Sequence, residues 1–171
     1  MEDFEENTSH DIISYFENNY HEVTNNDAFF ETLKKKYSYN EISTLFIYIL
    51  KNENNSKLIN HVIKQINKEK RFENLSSLLD FILRPISDNS FLDSKVIAIK
   101  TISNFKDKSS VQALLYCLND KNSNYKIRLA SAEALGKIGD TTAFESLGRI
   151  ASDDSEKSVY VRESAASALG M

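Results

Sequence analysis

The stretch that decides the fold runs from Lys126 to Leu147: Lys126-Ile-Arg-Leu-Ala-Ser-Ala-Glu-Ala-Leu-Gly-Lys-Ile-Gly-Asp140-Thr-Thr-Ala-Phe-Glu-Ser-Leu147. It predicts one helix over 124–138, a stop, and a second helix over 141–152. Ala132 and Ala134 are small enough for a neighbouring helix to come close, while Leu135, Ile138 and Leu147 fill the layer between helices. Gly136 lies one turn before the helix end, where a side chain would meet the adjoining helix. Gly139 is placed to end the helix at positive φ. Asp140 then caps the helix that follows.

The same pattern recurs. At an offset of 34, Ile127, Arg128, Ala132, Ala134, Leu135 and Gly136 meet Val161, Arg162, Ala166, Ala168, Leu169 and Gly170. At an offset of 33 in the other direction, Asp140, Leu147, Ile150 and Asp153 meet Asp107, Leu114, Cys117 and Asp120, and Arg128 meets Lys95. At 36, Leu75, Leu78, Leu79 and Ile82 meet Val111, Leu114, Leu115 and Leu118. A period of 33–36 residues holding two helices is the signature of an α-solenoid.

Composition agrees. The 171 residues include four Gly and one Pro, too few for the frequent turns of an all-β fold. Apolar residues at helical spacing predict helices at 9–20, 26–37, 39–51, 56–68, 72–83, 90–105, 108–119, 124–138, 141–152 and 157–170. Ser9 and Asp140 stand as N-cap candidates. The predicted fold is all-α: a right-handed α-solenoid of helical hairpins, clear over 86–171 and degenerate over 9–85, behind a disordered tail at 1–8. Twelve of the 18 aromatic residues fall in 1–85, so that half is expected to pack on Phe and Tyr.

Several function classes recede. The single cysteine, Cys117, leaves no intramolecular disulfide and no Cys-cluster zinc site. His10, His21 and His61 lack metal-ligand spacing. No catalytic constellation and no phosphate loop appears. Cys117 replaces Ile150 in the repeat, on an apolar face, and is read as a buried structural thiol; His61 is expected to be solvated or to cap. The formal charge is −4, and residues 86–171 balance 11 basic against 11 acidic side chains. A nucleic-acid partner is disfavoured, although Lys34-Lys35-Lys36 and the run from Lys64 to Arg71 are basic. No apolar run approaches a membrane span, and the acidic N-terminus does not read as a signal peptide. The expected compartment is the cytoplasm or the interior of an organelle.

The string Ile127-Arg128-x-x-Ser131-Ala132-x-Ala134-Leu135-Gly136-x-Ile138-Gly139-Asp140-x-x-Ala143-x-x-x-Leu147 resembles the short HEAT-like repeat of the phycobilisome lyases of the E/F and Y/Z types. Val161-Arg162-x-x-Ala165-Ala166-x-Ala168-Leu169-Gly170 opens another copy. The resemblance implies a scaffold that grips a protein: a lyase-like or chaperone-like component in bilin attachment. Its partners would be phycobiliprotein subunits or a second lyase subunit, with the bilin a substrate rather than a tightly bound cofactor. The alternatives are an interaction scaffold unrelated to pigments and a HEAT-like nucleic-acid enzyme.

Solenoids bind through extended concave surfaces. By that rule the second helix of each pair presents Ser76, Asp80, Gln112, Tyr116, Asn119, Thr142, Glu145 and Arg149. Tyr116, Arg149, Gln112, Glu145 and Asn119 are the candidate binding residues; Tyr116 and Arg149 occupy the same repeat position and pair the aromatic and guanidinium groups typical of binding hot spots. Tyr37, Tyr39 and Tyr48 are the next candidates. Arg128 and Arg162 are read as structural, bonded to carboxylates or loop carbonyls of the preceding repeat such as Asp120 and Asp153.

Overall fold

The computed structural model describes residues 2–85 and 91–171, with side chains from Asp11 onward. Among the described residues the regular structure is helical throughout: α1 Glu2–Asn19, α2 Asn26–Lys36, α3 Tyr39–Asn52, α4 Ser56–Glu69, α5 Leu75–Leu83, α6 Leu92–Phe105, α7 Val111–Asn119, α8 Tyr125–Ile138, α9 Phe144–Ala151 and α10 Val159–Leu169. The expected start of α6 at residue 90 lies outside the described residues. Two expectations are corrected at the N-terminus. The backbone is helical from Glu2, not a tail to residue 8, and Ser9 sits inside α1 rather than capping it. The stretch holds no Gly or Pro, so a helix nucleated further along extends through it at little cost.

The Asn- and Ser-rich turns act as caps. Asn25, Asn55, Asn124 and Ser158 each accept from a backbone N–H of the following turn, and Ser38 and Glu41 form a reciprocal capping box. Asp107 and Asp140 accept from Ser109 N and Thr142 N at 2.8 and 2.9 Å. Each opens a single 3₁₀ turn, Lys108–Ser110 and Thr141–Ala143, which tightens the start of the expected second helix. In the degenerate repeat Arg71 takes the cap position, makes no capping bond, and stacks on Tyr39 at 3.5 Å.

The helices form two layers. Even-numbered helices contact one another in series, α2 to α4 and onward to α10; odd-numbered helices do the same from α1 to α7, which meets the turn opening α9. The even layer is held close by small residues. A Cβ added at Gly136 would fall 2.9 Å from the Cα of Ala168 in the next repeat, so no larger residue fits without moving α10. Helices α4, α6 and α8 each end on a left-handed residue, Lys70 at φ 50°, Lys106 at φ 53° and Gly139 at φ 69°. Only the last is a glycine, which is why the repeat fades from view toward the N-terminus.

The N-terminal half packs on rings, as its aromatic content predicts. Phe16 stacks on Tyr20 at 4.9 Å, and Phe30 meets Phe46 at 5.8 Å. His61 is corrected from solvated to packed: its ring stacks on Phe30 at 4.9 Å, and burial lowers its pKa.

A recurring cation ties the layers together. Helices α5 and α7 carry no basic residue in their own last turn. Lys95 of α6 donates to the carbonyls of Ile82, at 2.8 Å, and Arg84. Arg128 of α8 donates to the carbonyl of Leu118 at 2.9 Å. Arg84 similarly donates to Leu50 O and Glu53 O at the end of α3. Each cation meets the negative end of a helix dipole. The bond from Arg128 to a carbonyl of the preceding repeat matches expectation, but its carboxylate partner does not. Arg128 holds Glu156 in a bidentate pair at 2.8 and 2.6 Å, whereas Asp120 accepts from Asn122 N. Arg162 reaches Asp154, not Asp153.

Two glycines within helices should answer the same substitution with opposite signs. Gly136→Ala should destabilise by about 1–3 kcal/mol by forcing α8 from α10. Gly148→Ala, with nothing within 4 Å of its Cβ, should stabilise by about 0.5–1 kcal/mol. Chemical denaturation of the two variants measures both; equal effects would show that the contact at Gly136 is absent.

The pair with Arg128 holds the Glu156 carboxyl below its ordinary value of 4.5. The Asp140 carboxyl is lowered to about 2, chiefly by bonds from Thr142 and then by Lys108. Both groups stay ionised in the folded chain at pH values where the unfolded chain takes up protons. Their contribution is therefore full above about pH 4.5 and lost on acidification through their folded pKa values. Glu156→Gln should flatten the part of the acid-stability curve just below pH 4.5, read by denaturant midpoint against pH.

Candidate protein-binding face

Helix α7 covers the core with one side only. Val111, Leu114, Cys117 and Leu118 are buried, while Gln112, Tyr116 and Asn119 follow one another at helical spacing on its exposed side. Tyr116 is 67 % exposed, large for a residue so apolar. These three line a groove of ≈ 590 Å³ with Leu115, Asp120 and Ser146. Arg149 is exposed on α9 and donates to Asn119 Oδ1 at 2.9 Å. The structure thus brings together four of the five candidate residues. Glu145 is exposed, but Ser146 takes its place in the groove wall.

Arg149 differs from the free guanidinium that the repeat position suggests, because it ties α9 to the end of α7. Leu115 was also missed. It repeats Leu79 and counts with the apolar stripe, yet it is only half-buried and lines the groove. A nine-residue helix packed on one side leaves the edge of its apolar arc uncovered.

Tyr116 stands between this groove and a second cavity of ≈ 550 Å³, lined by Arg84, Lys95, Cys117, Asp120 and Ser123 among others. The alignment of Lys95 with Arg128 was the available signal for its burial. Cys117 is buried there, and burial pushes its thiol up to about 11 although Lys95 pulls the other way. A neutral thiol with little access to solvent is a poor nucleophile.

The other candidates are engaged within the chain. Tyr37 is buried, Tyr39 Oη accepts from Asn74 Nδ2 at 2.8 Å, and Tyr48 donates to Glu17, which drives its pKa to about 12. Lys34 pairs with Glu69 at 3.2 Å, and Lys36 lies over the rings of Tyr15 and Tyr37. Two of the three lysines in the first basic run are therefore turned to the protein itself. Among the described residues no group of three or more His, Cys, Asp or Glu is arranged to hold a metal ion, and no helix is long and apolar enough to cross a membrane.

A family model described as HEAT repeats matches residues 80–170, just over half of the chain. No curated protein matches it.

Cys117 should react with a thiol reagent such as Ellman's only as fast as the folded chain opens. At pH 8 the absorbance change should be slow in buffer and immediate in denaturant. Equal rates would place the thiol at the surface.

Proposed function

The chain belongs to the HEAT-repeat family, and on that premise we propose that it grips a protein partner along the groove of α7, with Tyr116 as the anchor. The observation that carries this is the exposed Tyr116 ring over a groove walled by Leu115 and the neutral Gln112, Asn119 and Ser146, with Asp120 its single charged wall residue among the described residues. Aromatic residues flanked by neutral polar groups gain affinity by burial without the cost of stripping water from charges. HEAT arrays are protein-interaction scaffolds, and the groove offers no phosphate-binding cluster to favour nucleic acid.

The specific form of the proposal rests on the repeat's resemblance to the phycobilisome lyases. The partner is then a phycobiliprotein subunit or a second lyase subunit, the bilin is carried as substrate, and the compartment is cytoplasm or stroma. The reacting thiol would belong to the substrate, so a buried Cys117 is compatible with it. The general form, a scaffold unrelated to pigments, needs only the groove.

Tyr116→Ala should leave the melting temperature nearly unchanged and weaken partner binding by about 1–2 kcal/mol. Arg149→Ala should do less, since part of its bonding is internal to Asn119. Titration calorimetry against a phycobiliprotein subunit, with and without bilin, reads both. Binding that is indifferent to Tyr116 would move the site elsewhere; no binding by the intact chain would remove the pigment-specific form.

A further inference from the structure

The turns after α7 and α9 are built alike. Asp120 Oδ1 accepts from Asn122 N at 3.0 Å as Asp153 Oδ1 accepts from Ser155 N at 2.9 Å. Ser123 N and Glu156 N then donate to Asp120 O and Asp153 O, both at 3.0 Å. Ser123 and Glu156 are therefore the same position in successive repeats, just as Lys95 and Arg128 are.

In the later repeat this position supplies the carboxylate that neutralises the buried guanidinium of Arg128. In the earlier repeat the hydroxyl of Ser123 takes its place. Lys95 is 6 % exposed and has no carboxylate within ion-pair distance among the described residues. An ammonium has three N–H donors; two lie on the carbonyls of Ile82 and Arg84. Instead of a carboxylate, the space holds the cavity of ≈ 550 Å³ shared by Lys95 and Ser123. Among the described residues its charged lining is Arg84 and Lys95 against Asp120, whose carboxylate already serves Asn122 N, and its apolar wall includes Ile82, Leu92 and Ile127. Burial, the main cause, holds the Lys95 pKa below the ordinary lysine value.

We propose that this cavity is a carboxylate site, taking an acid on a short aliphatic stem where Glu156 stands in the next repeat. A glutamate side chain of a partner and a free short-chain acid share that chemistry. Tyr116 and Asp120 line both the cavity and the groove, but the carboxylate is read from Lys95 and Ser123, which line the cavity and not the groove.

The test titrates sodium propionate into the full chain at pH 7, with sodium chloride at equal ionic strength as control. It reads the ¹⁵N–¹H signal of the Lys95 ammonium and the melting temperature. Saturable change in both, absent with chloride, is expected. Ser123→Glu supplies the carboxylate from within the chain. It should raise the melting temperature above that of the size-matched Ser123→Gln by roughly 2–5 °C and weaken propionate binding by about tenfold or more. Lys95→Met should abolish the response; if it fails to fold, the Ser123 pair still decides.

A peptide with one glutamate that competes better than propionate assigns the site to a protein side chain, and the reverse order assigns it to a free acid. No saturable response in the wild type, or equal stability of Ser123→Glu and Ser123→Gln, overturns the proposal.

Discussion

The joint between the two layers from α5 to α8 depends on a borrowed positive charge. Helices α5 and α7 carry no basic residue in their last turn, and the exposed carbonyls of a helix end carry a partial negative charge. The cation comes from the next repeat, as Lys95 for α5 and Arg128 for α7. Because the donor sits on an even helix and the acceptor on the preceding odd helix, each bond fixes the two layers at once. Helix α9 carries Arg149 in its last turn, and Arg162, the next cation in the series, pairs with Asp154 instead. A buried cation needs a counter-charge as well as carbonyls. That need is met by Glu156 for Arg128, and the cavity beside Lys95 lies where the corresponding group would stand.

The close approach of the even helices complements this stitching. Gly136 against Ala168 leaves no room for a side chain, so α8 and α10 meet nearly backbone to backbone. The odd helices are shorter in this half, and α7 meets the turn that opens α9. That arrangement leaves one side of α7 uncovered and produces the groove beneath Tyr116. The binding face is thus a consequence of unequal packing in the two layers.

The N-terminal half reaches the same architecture with different chemistry. Interlocked rings of Phe16, Tyr20, Phe29, Phe30 and Phe46 join α1, α2 and α3 where the C-terminal half uses small residues. The buried Asn74 accepts from Ser43 Oγ at 2.6 Å and donates to Tyr39, bonding the turn before α5 to α3 where an aspartate cap is lacking. Lys70 and Lys106 hold left-handed conformations that glycine adopts more readily. Such positions cost local free energy, which the surrounding packing offsets.

Helical periodicity, the offset of 33–36 residues and the Gly139-Asp140 stop-and-cap signal were enough to read the all-α solenoid from the amino-acid sequence alone. They are local or strictly repeated, and backbone geometry answers them directly. The outward side of α7 was equally legible, since Gln112, Tyr116 and Asn119 follow from helical spacing. The path of Arg128 to Glu156 was not, because it depends on how the next turn folds back. Leu115 in the groove wall, the bond from Arg149 to Asn119 and the helical start of α1 were also hidden. Only the tertiary structure decided these, because a side chain's partner across repeats is set by the distance between helices. Many sequences satisfy the same periodicity at different distances.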